Sequence, residues 1–151
     1  MAPALAIVAV ALTSLFYMLF PAAGSALADG GAPNLAYIAG SAKGISVVDI
    51  QQKTVTNSFA LTGNPQTIYL SLDGRFLYVT QPALDRVTAL AARTGQVFCT
   101  VNVPGQPSLL AFDPGTNFLY AAGNAAASVT EFDTSNCAIK KTIKTSGPVY
   151  G

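Results

Sequence analysis

One pattern of residues recurs along this chain at a spacing of 41 or 42 positions, and no other feature constrains the fold as strongly. Five kinds of position repeat in a single register. The series are Tyr37, Tyr78 and Tyr120; Ile45, Val87 and Val129; Val55, Val97 and Ile139; Phe59, Val101 and Ile143; and Gly63, Gly105 and Gly147. Five series in one register are hard to obtain by chance, so the pattern predicts a protein built from repeated units.

Each unit predicts four short strands in one antiparallel sheet. In the middle unit these cover residues 66–71, 75–80, 86–91 and 96–103, with a tight turn at Asp73-Gly74. Pro82 belongs to a loop, because proline has no amide hydrogen for a central ladder position. Four strands in about 42 residues are typical of a β-propeller blade. The alternative, a β-sandwich with accidental self-similarity, does not require its Tyr and Gly positions to keep one register.

These units resemble the YVTN family of β-propeller repeats. Residues 71–74, Ser-Leu-Asp-Gly, match the family's S-P-D-G with Leu for Pro, and residues 77–81, Leu-Tyr-Val-Thr-Gln, match L-Y-V-T-N with Gln for Asn. Residues 45–49 and 129–133 match its third strand, and residues 142–147 its fourth. The resemblance covers about residues 34–151 and implies an all-β ring of about seven blades. It is specific for the fold and says little about function.

The units do not complete a ring, which needs roughly four to eight blades. Residues 34–62 predict a first blade without its inner strand, residues 64–104 and 106–146 predict two full blades, and residues 147–151 predict the start of another. An open stack would leave apolar sheet faces in water. We therefore expect partners in further blades, with the chain as the N-terminal portion of a longer protein. The alternatives are a ring assembled from several copies and a monomeric three-blade unit.

The first 28 residues predict a secretory signal peptide. Residues 4–20 carry no charge, Pro21 ends any helix, and Ala26-Leu27-Ala28 fits cleavage after Ala28. The first Lys or Arg is Lys43, so the usual positive n-region is missing, and an uncleaved membrane anchor or a buried helix are the alternatives. Residues 29–33 predict a flexible linker. Signal and anchor both indicate export to the periplasm, the extracellular space or the cell surface, with membrane contact only if the segment is uncleaved.

Composition narrows the classes of function. The formal net charge is +1, and no basic stripe supports nucleic-acid binding. The chain has no histidine, which removes the usual Ser/His/Asp and Cys/His triads and histidine metal ligands from this sequence. Asp73 and Asp113 are expected to cap turns, and Asp49 and Asp133 share one repeat position with a structural role. We predict no catalytic, cofactor or metal site among these residues.

The two cysteines are expected to lie apart. Cys99 falls in a fourth strand and Cys137 in the turn before the next fourth strand. Packed sheets are about 10 Å apart, and the offset of four positions adds about 13 Å along the strand. A disulfide requires Cα atoms within about 7 Å. The geometry therefore argues against a Cys99–Cys137 bond, and it leaves partners in further blades or free thiols as the alternatives.

The loops that join second to third strands lie on the same face of a propeller as the links between blades, and that face is the usual ligand site. The candidate ligand residues are Lys43, Asn64, Gln81, Asp85, Arg86, Gln106 and Asn124. A plain solvated loop is the alternative role for each of them.

Two functions remain open. The first is an exported propeller that acts as a binding scaffold for a protein, a cell-surface polymer or a small molecule. The second is a propeller enzyme similar to a lactonase or a quinoprotein dehydrogenase, with its active site in further blades. A channel rich in histidine or carboxylates beyond residue 151 would favour the enzyme.

Overall fold

A computed structural model describes residues 34–41 and 44–149. These residues form eleven strands and a short 3-10 helix, Pro82–Leu84. The strands are β1 (Leu35–Ser41), β2 (Gly44–Asp49), β3 (Thr54–Ala60), β4 (Ile68–Leu70), β5 (Phe76–Gln81), β6 (Arg86–Ala91), β7 (Val97–Asn102), β8 (Pro107–Asp113), β9 (Phe118–Gly123), β10 (Ser128–Asp133) and β11 (Ile139–Lys144). Across these two ranges, no helix has the length and apolar character needed to span a membrane. The predicted signal peptide, the linker at 29–33 and Lys43 lie outside the described residues.

The strands form three antiparallel sheets in which sequence neighbours pair. Sheet 1 has the order β1-β2-β3, sheet 2 the order β4-β5-β6-β7, and sheet 3 the order β8-β9-β10-β11. The predicted fold class, all-β with blades of four antiparallel strands, is confirmed. Strand β4 is shorter than predicted, although hydrogen bonds of 3.2 Å from Gln66 N to Thr80 O and 3.0 Å from Thr80 N to Thr67 O continue the pairing irregularly. Residues 147–149 form no strand, so the blade start proposed at 147–151 stays a prediction.

The alternation of side chains along β5 explains how the sheets stack. Leu77 and Val79 pack against sheet 1, whereas Tyr78 between them packs against sheet 3. Because successive side chains of a strand point to opposite faces, a strand between two sheets buries side chains on both of its faces. Leu77, Tyr78 and Val79 are all buried, so sheet 2 is the middle layer of the stack.

Two apolar layers hold the stack together. Between sheets 1 and 2 the buried side chains include Ile45, Phe59 and Leu90. Between sheets 2 and 3 they include Tyr78, Val101 and Phe132. Most of these residues belong to the repeating series or adjoin it, so the repeat records the contacts between blades.

The tyrosine series has a specific role between sheets. The Tyr37 hydroxyl donates to the Ala92 carbonyl oxygen at 3.1 Å, and the Tyr78 hydroxyl donates to the Thr134 carbonyl oxygen at 2.9 Å. Ala92 and Thr134 occupy the same repeat position in the turn that follows a third strand. Each hydroxyl therefore reaches across an apolar layer to the next sheet, which satisfies a buried polar group.

The expectation that Cys99 and Cys137 lie apart is wrong. The structure joins them in a disulfide, with Cα atoms 6.3 Å apart. The expectation placed Cys137 at the lateral spacing of an outer strand, but the turn that carries it leans onto sheet 2, where Tyr78 reaches Thr134. Both cysteines pack against the apolar layer between sheets 2 and 3. The bond therefore joins two blades.

Candidate functional site

The loops and linkers that carry the described candidate ligand residues lie at one end of the stack, called the loop face here; the loop with Lys43 is outside the described residues. It comprises loops 82–85 and 124–127 and linkers 61–67 and 103–106. Backbone hydrogen bonds join neighbouring members: Ala83 N to Gly63 O at 3.3 Å, Val103 N to Asp85 O at 2.8 Å, and Ala125 N to Gly105 O at 3.0 Å. Because consecutive antiparallel strands turn at alternate ends, the turns 50–53, 71–75, 92–96, 114–117 and 134–138 form the opposite end, the turn face.

Gln81 was predicted as a candidate ligand residue in a loop; the loop placement is wrong, because Gln81 is the last residue of β5, and the ligand role stays a prediction. Its side chain is fully buried at the end of β5. Its Nε2 donates to the Thr62 carbonyl oxygen at 2.6 Å, while its Oε1 accepts from Arg86 Nε at 2.9 Å and from the Thr88 hydroxyl. A buried amide needs all of these partners. Gln81 therefore ties the linker between sheets 1 and 2 to strands β5 and β6.

Asp85 performs the same task one sheet later. It adopts a left-handed backbone with φ of 48°, and its Oδ1 accepts from Gly105 N at 3.1 Å and Gln106 N at 2.7 Å. The carboxylate thus holds the linker between sheets 2 and 3 against loop 82–85. Arg86 is half-buried, and its guanidinium is engaged by Gln81.

Besides Asp85, three predicted ligand residues are exposed on the loop face: Asn64, Gln106 and Asn124. Asn64 and Gln106 occupy one repeat position and share a left-handed backbone, with φ of 52° and 57°. The hydrogen bonds of Gln81 and Asp85 hold the two linkers that carry Asn64 and Gln106. The loop face is therefore a preorganised surface with amide side chains pointing to solvent, and a ligand role for these three residues stays a prediction.

Asp73 and Asp113 cap turns, as predicted, and Asp49 and Asp133, which were predicted to share a structural role, cap turns too. Each accepts a hydrogen bond from a backbone amide two or three residues ahead: Gln51 and Gln52 for Asp49, Arg75 for Asp73, Gly115 for Asp113, and Ser135 for Asp133. Residues 34–41 and 44–149 contain no group of three or more His, Cys, Asp or Glu side chains that could hold a metal ion.

Sequence reasoning did not anticipate the clefts that open between sheets on or near the turn face. A cleft of about 430 Å³ lies between sheets 2 and 3, with Phe76, Phe98 and Phe112 among its lining residues. A smaller cleft of about 230 Å³ lies between sheets 1 and 2 and includes Tyr37 and Arg93. The sequence did contain a sign of this difference, because the residue type changes at two repeat positions. Leu35 and Thr56 in the first unit correspond to Phe76 and Phe98 in the second.

A β-bulge places Phe98 in the larger cleft. Cys99 pairs with Ala89 and Val97 pairs with Leu90, which leaves Phe98 as the extra residue of β7. Thr56 in β3 and Lys140 in β11 are the extra residues of equivalent bulges. Bulges re-aim side chains, and here the Phe98 ring comes to lie 4.9 Å from the Phe76 ring, between ring centroids.

The larger cleft has one carboxylate on its lining, Asp73. Burial opposes ionisation of this group, but hydrogen bonds from the Ser71 hydroxyl and the Arg75 amide hold the pKa of Asp73 below its ordinary value. At neutral pH it is therefore an anion. Burial raises the pKa of Tyr78, so the tyrosine on the same lining stays neutral.

Comparison with known proteins supports the architecture. No protein-family model matches the chain, and no curated protein matches it. Among solved structures, the chain is similar to Kuenenia stuttgartiensis hydrazine synthase, with a TM-score of 0.70 and 24% identity over 80% of this chain and 34% of that chain. It is also similar to the dihydro-heme d1 dehydrogenase NirN in complex with DHE, with a TM-score of 0.64 and 13% identity over 76% of this chain and 27% of that chain.

The chain thus spans only 34% and 27% of the length of these two solved chains, and the likeness is one of fold alone. Both neighbours are β-propeller proteins, as the three stacked antiparallel sheets lead one to expect. The described part of this chain has the β-propeller fold.

Proposed function

We propose that this chain is part of an exported β-propeller that serves as a binding scaffold through its loop face. The observation that supports this proposal is the preorganisation of that face. The side chains of Gln81 and Asp85 hydrogen-bond to backbone groups of the linkers and hold them in place. Asn64, Gln106 and Asn124 then present exposed amides in fixed positions. A rigid surface with adaptable hydrogen-bonding groups binds at a lower entropic cost than a mobile one.

The disulfide supports export. Disulfides persist in oxidising compartments and are rare where thiols are kept reduced. Cys99 and Cys137 lie in different blades and are bonded, so the folded chain is suited to the periplasm, the extracellular space or the cell surface. In that setting the partner is a protein or a cell-surface polymer, and further blades or other copies of the chain complete the ring.

Export is tested on the protein made by its own host. We expect the mature N-terminus at Asp29, read by mass spectrometry, and alkylation-resistant cysteines before reduction. A protein that retains residues 1–28 would instead indicate the membrane anchor. Free thiols in the cytoplasmic fraction would overturn export.

Binding is tested by co-sedimentation of the natural-length protein with cell envelopes of the host. Replacing Asn64, Gln106 and Asn124 with Ala should weaken retention by at least about tenfold, because each amide contributes about one hydrogen bond. The matched control replaces Gln51, Gln52 and Gln96, three exposed amides on the turn face. Equal retention of the two triple variants would overturn a role for the loop face.

An enzyme of lactonase or quinoprotein-dehydrogenase type is the second candidate. The names of the two solved neighbours, hydrazine synthase and a dehydrogenase, favour it, because propellers of this shape can belong to enzymes. A shared fold does not by itself establish a shared enzymatic activity. Lactone hydrolysis or dye-linked alcohol oxidation by the natural-length protein would support this candidate over the scaffold.

A further inference from the structure

The two clefts between sheets are repeat-related, yet they differ in chemistry. The smaller cleft is lined by Leu35, Thr56 and Arg93 at the positions where the larger cleft has Phe76, Phe98 and Ser135. The larger cleft thus has two aromatic rings where the smaller one has a leucine and a threonine, and a serine where the smaller one has an arginine. Its volume of about 430 Å³ falls within the range of small-molecule sites, about 300–1,000 Å³.

The charged side chains on the two linings also differ. Arg93 gives the smaller cleft a positive side chain, whereas Asp73 gives the larger cleft a negative one. The Ser71 hydroxyl and the Arg75 amide both hydrogen-bond Asp73 Oδ1, and the Arg75 guanidinium nitrogen is 4.0 Å from Oδ2. A carboxylate beside aromatic rings favours a cation over an anion or a neutral ligand.

The chain itself shows which group suits these ring positions. In sheet 3 the bulge residue is Lys140, and its ammonium lies 5.7 Å from the centroid of Phe118, the repeat equivalent of Phe76. The same ammonium is 3.2 Å from Asp133. Phe76 also has a cation near it, since the Arg75 guanidinium lies 5.8 Å from its centroid. In sheet 2 the bulge position carries Phe98 instead of a lysine, so the residue at this position contributes an aromatic ring and not a cation to the cleft.

We infer that the cleft between sheets 2 and 3 binds a small organic ammonium ion, held by the Asp73 carboxylate and the Phe76, Phe98 and Phe112 rings. Phe98 is 48% exposed, so its ring is accessible to a ligand from solvent. The disulfide keeps the walls of the cleft together, because Cys99 follows Phe98 and Cys137 lies two residues after Ser135. This site lies apart from the loop face, so it goes beyond the proposed scaffold function. Its test is independent of the test of the scaffold function.

The test compares choline with 3,3-dimethyl-1-butanol, in which a neutral carbon replaces the quaternary nitrogen at the same size. Titrations of the oxidised protein are followed by NMR at constant ionic strength. We expect choline to bind at least about tenfold more tightly than the alcohol, because ring quadrupoles and a carboxylate act on charge. Shifts should centre on Phe98 and Asn117. Equal affinity for the two probes, or no binding of choline, overturns the inference.

Repeat-guided variants locate the site. Ser135→Arg restores the arginine of the smaller cleft and should abolish choline binding by occupying the site from within, whereas Ser135→Ala should bind as the parent does. Asp73→Asn keeps a hydrogen-bond acceptor and should weaken binding about tenfold. Choline binding that survives both Ser135→Arg and Asp73→Asn would show that it occurs elsewhere, which overturns the assignment.

Discussion

Tyr78 shows at the scale of a single residue why the repeat exists. Its ring fills the apolar layer between sheets 2 and 3, and its hydroxyl satisfies the Thr134 carbonyl oxygen on the far side. Tyr37 does the same between sheets 1 and 2. An apolar body and a polar tip are both used at this position, and the rigid side chain of tyrosine combines them.

Replacing Tyr78 with Phe should lower the free energy of unfolding by about 1–2 kcal/mol, because a buried carbonyl loses its donor. Urea unfolding of the oxidised chain measures the change. Tyr120→Phe is the control, because Tyr120 has the same repeat position but is paired with Glu131 within its own sheet. This substitution should lower the free energy of unfolding by less than Tyr78→Phe does. A larger loss for Tyr120→Phe would contradict the role assigned to the series.

The turn aspartates make stability depend on pH. Hydrogen bonds from Thr116 and Gly115 lower the pKa of Asp113, and those from Ser135 lower the pKa of Asp133. Burial acts to raise the pKa of Asp73, but its hydrogen bonds lower that pKa overall. A lowered pKa in the folded state contributes stability above the unfolded value, about 3.9, that is lost as pH falls through the folded value.

We therefore expect the free energy of unfolding to decline as pH falls below about 4. The measurement is urea unfolding across the acidic range. In the triple variant with Asn at Asp73, Asp113 and Asp133, the side chains can still accept hydrogen bonds but cannot titrate. Its profile should be flatter, and an unchanged slope would contradict this origin.

At the scale of elements, the links between sheets depend on glycine. Gly105 has φ of 101°, and a Cβ there would overlap the Ala126 side chain and lie 2.7 Å from the Ala126 backbone nitrogen. The linker therefore passes too close to loop 124–127 for any other residue. This close approach brings the loop face together, because Ala125 N bonds Gly105 O beside it.

Gly105→Ala should destabilise the chain by about 1–3 kcal/mol, from backbone strain and steric overlap. Gly147→Ala is the matched control from the same repeat series, since a Cβ there would meet no atom within 4 Å. Thermal or urea unfolding compares the two variants. Equal losses would show that the cost does not come from contact with loop 124–127.

At the scale of the whole molecule, the disulfide adds a covalent link between blades that also share apolar contacts and hydrogen bonds, among them those of the Tyr78 and Thr67 hydroxyls. It closes a loop with a sequence separation of 38 residues. In the chain-entropy account, a cross-link across such a loop stabilises by about 4 kcal/mol by restricting the unfolded chain.

The double variant Cys99→Ser, Cys137→Ser should therefore lose about 4 kcal/mol of unfolding free energy. Reduced parent protein should match it, and adding reductant should leave the variant unchanged. If reductant leaves the unfolding free energy of the parent protein unchanged, that result would contradict the presence of the disulfide in solution.

The sequence by itself determined the strands, their antiparallel order and the blade architecture. These follow from local rules: alternation of side chains, turn residues such as Asp73-Gly74, and a register that repeats every 41 or 42 positions. The turn-capping aspartates could be predicted for the same reason, because their partners lie within three residues.

Only the tertiary structure decided the contacts between elements. Gln81 appeared as a loop residue, but its burial depends on Thr62, Arg86 and Thr88 converging around it. The Cys99–Cys137 bond and the aromatic cleft depend on how far one turn leans over its neighbouring sheet and on where a bulge re-aims Phe98. Periodicity along a chain records which face a residue occupies, whereas distances between blades arise from the packing of two whole surfaces.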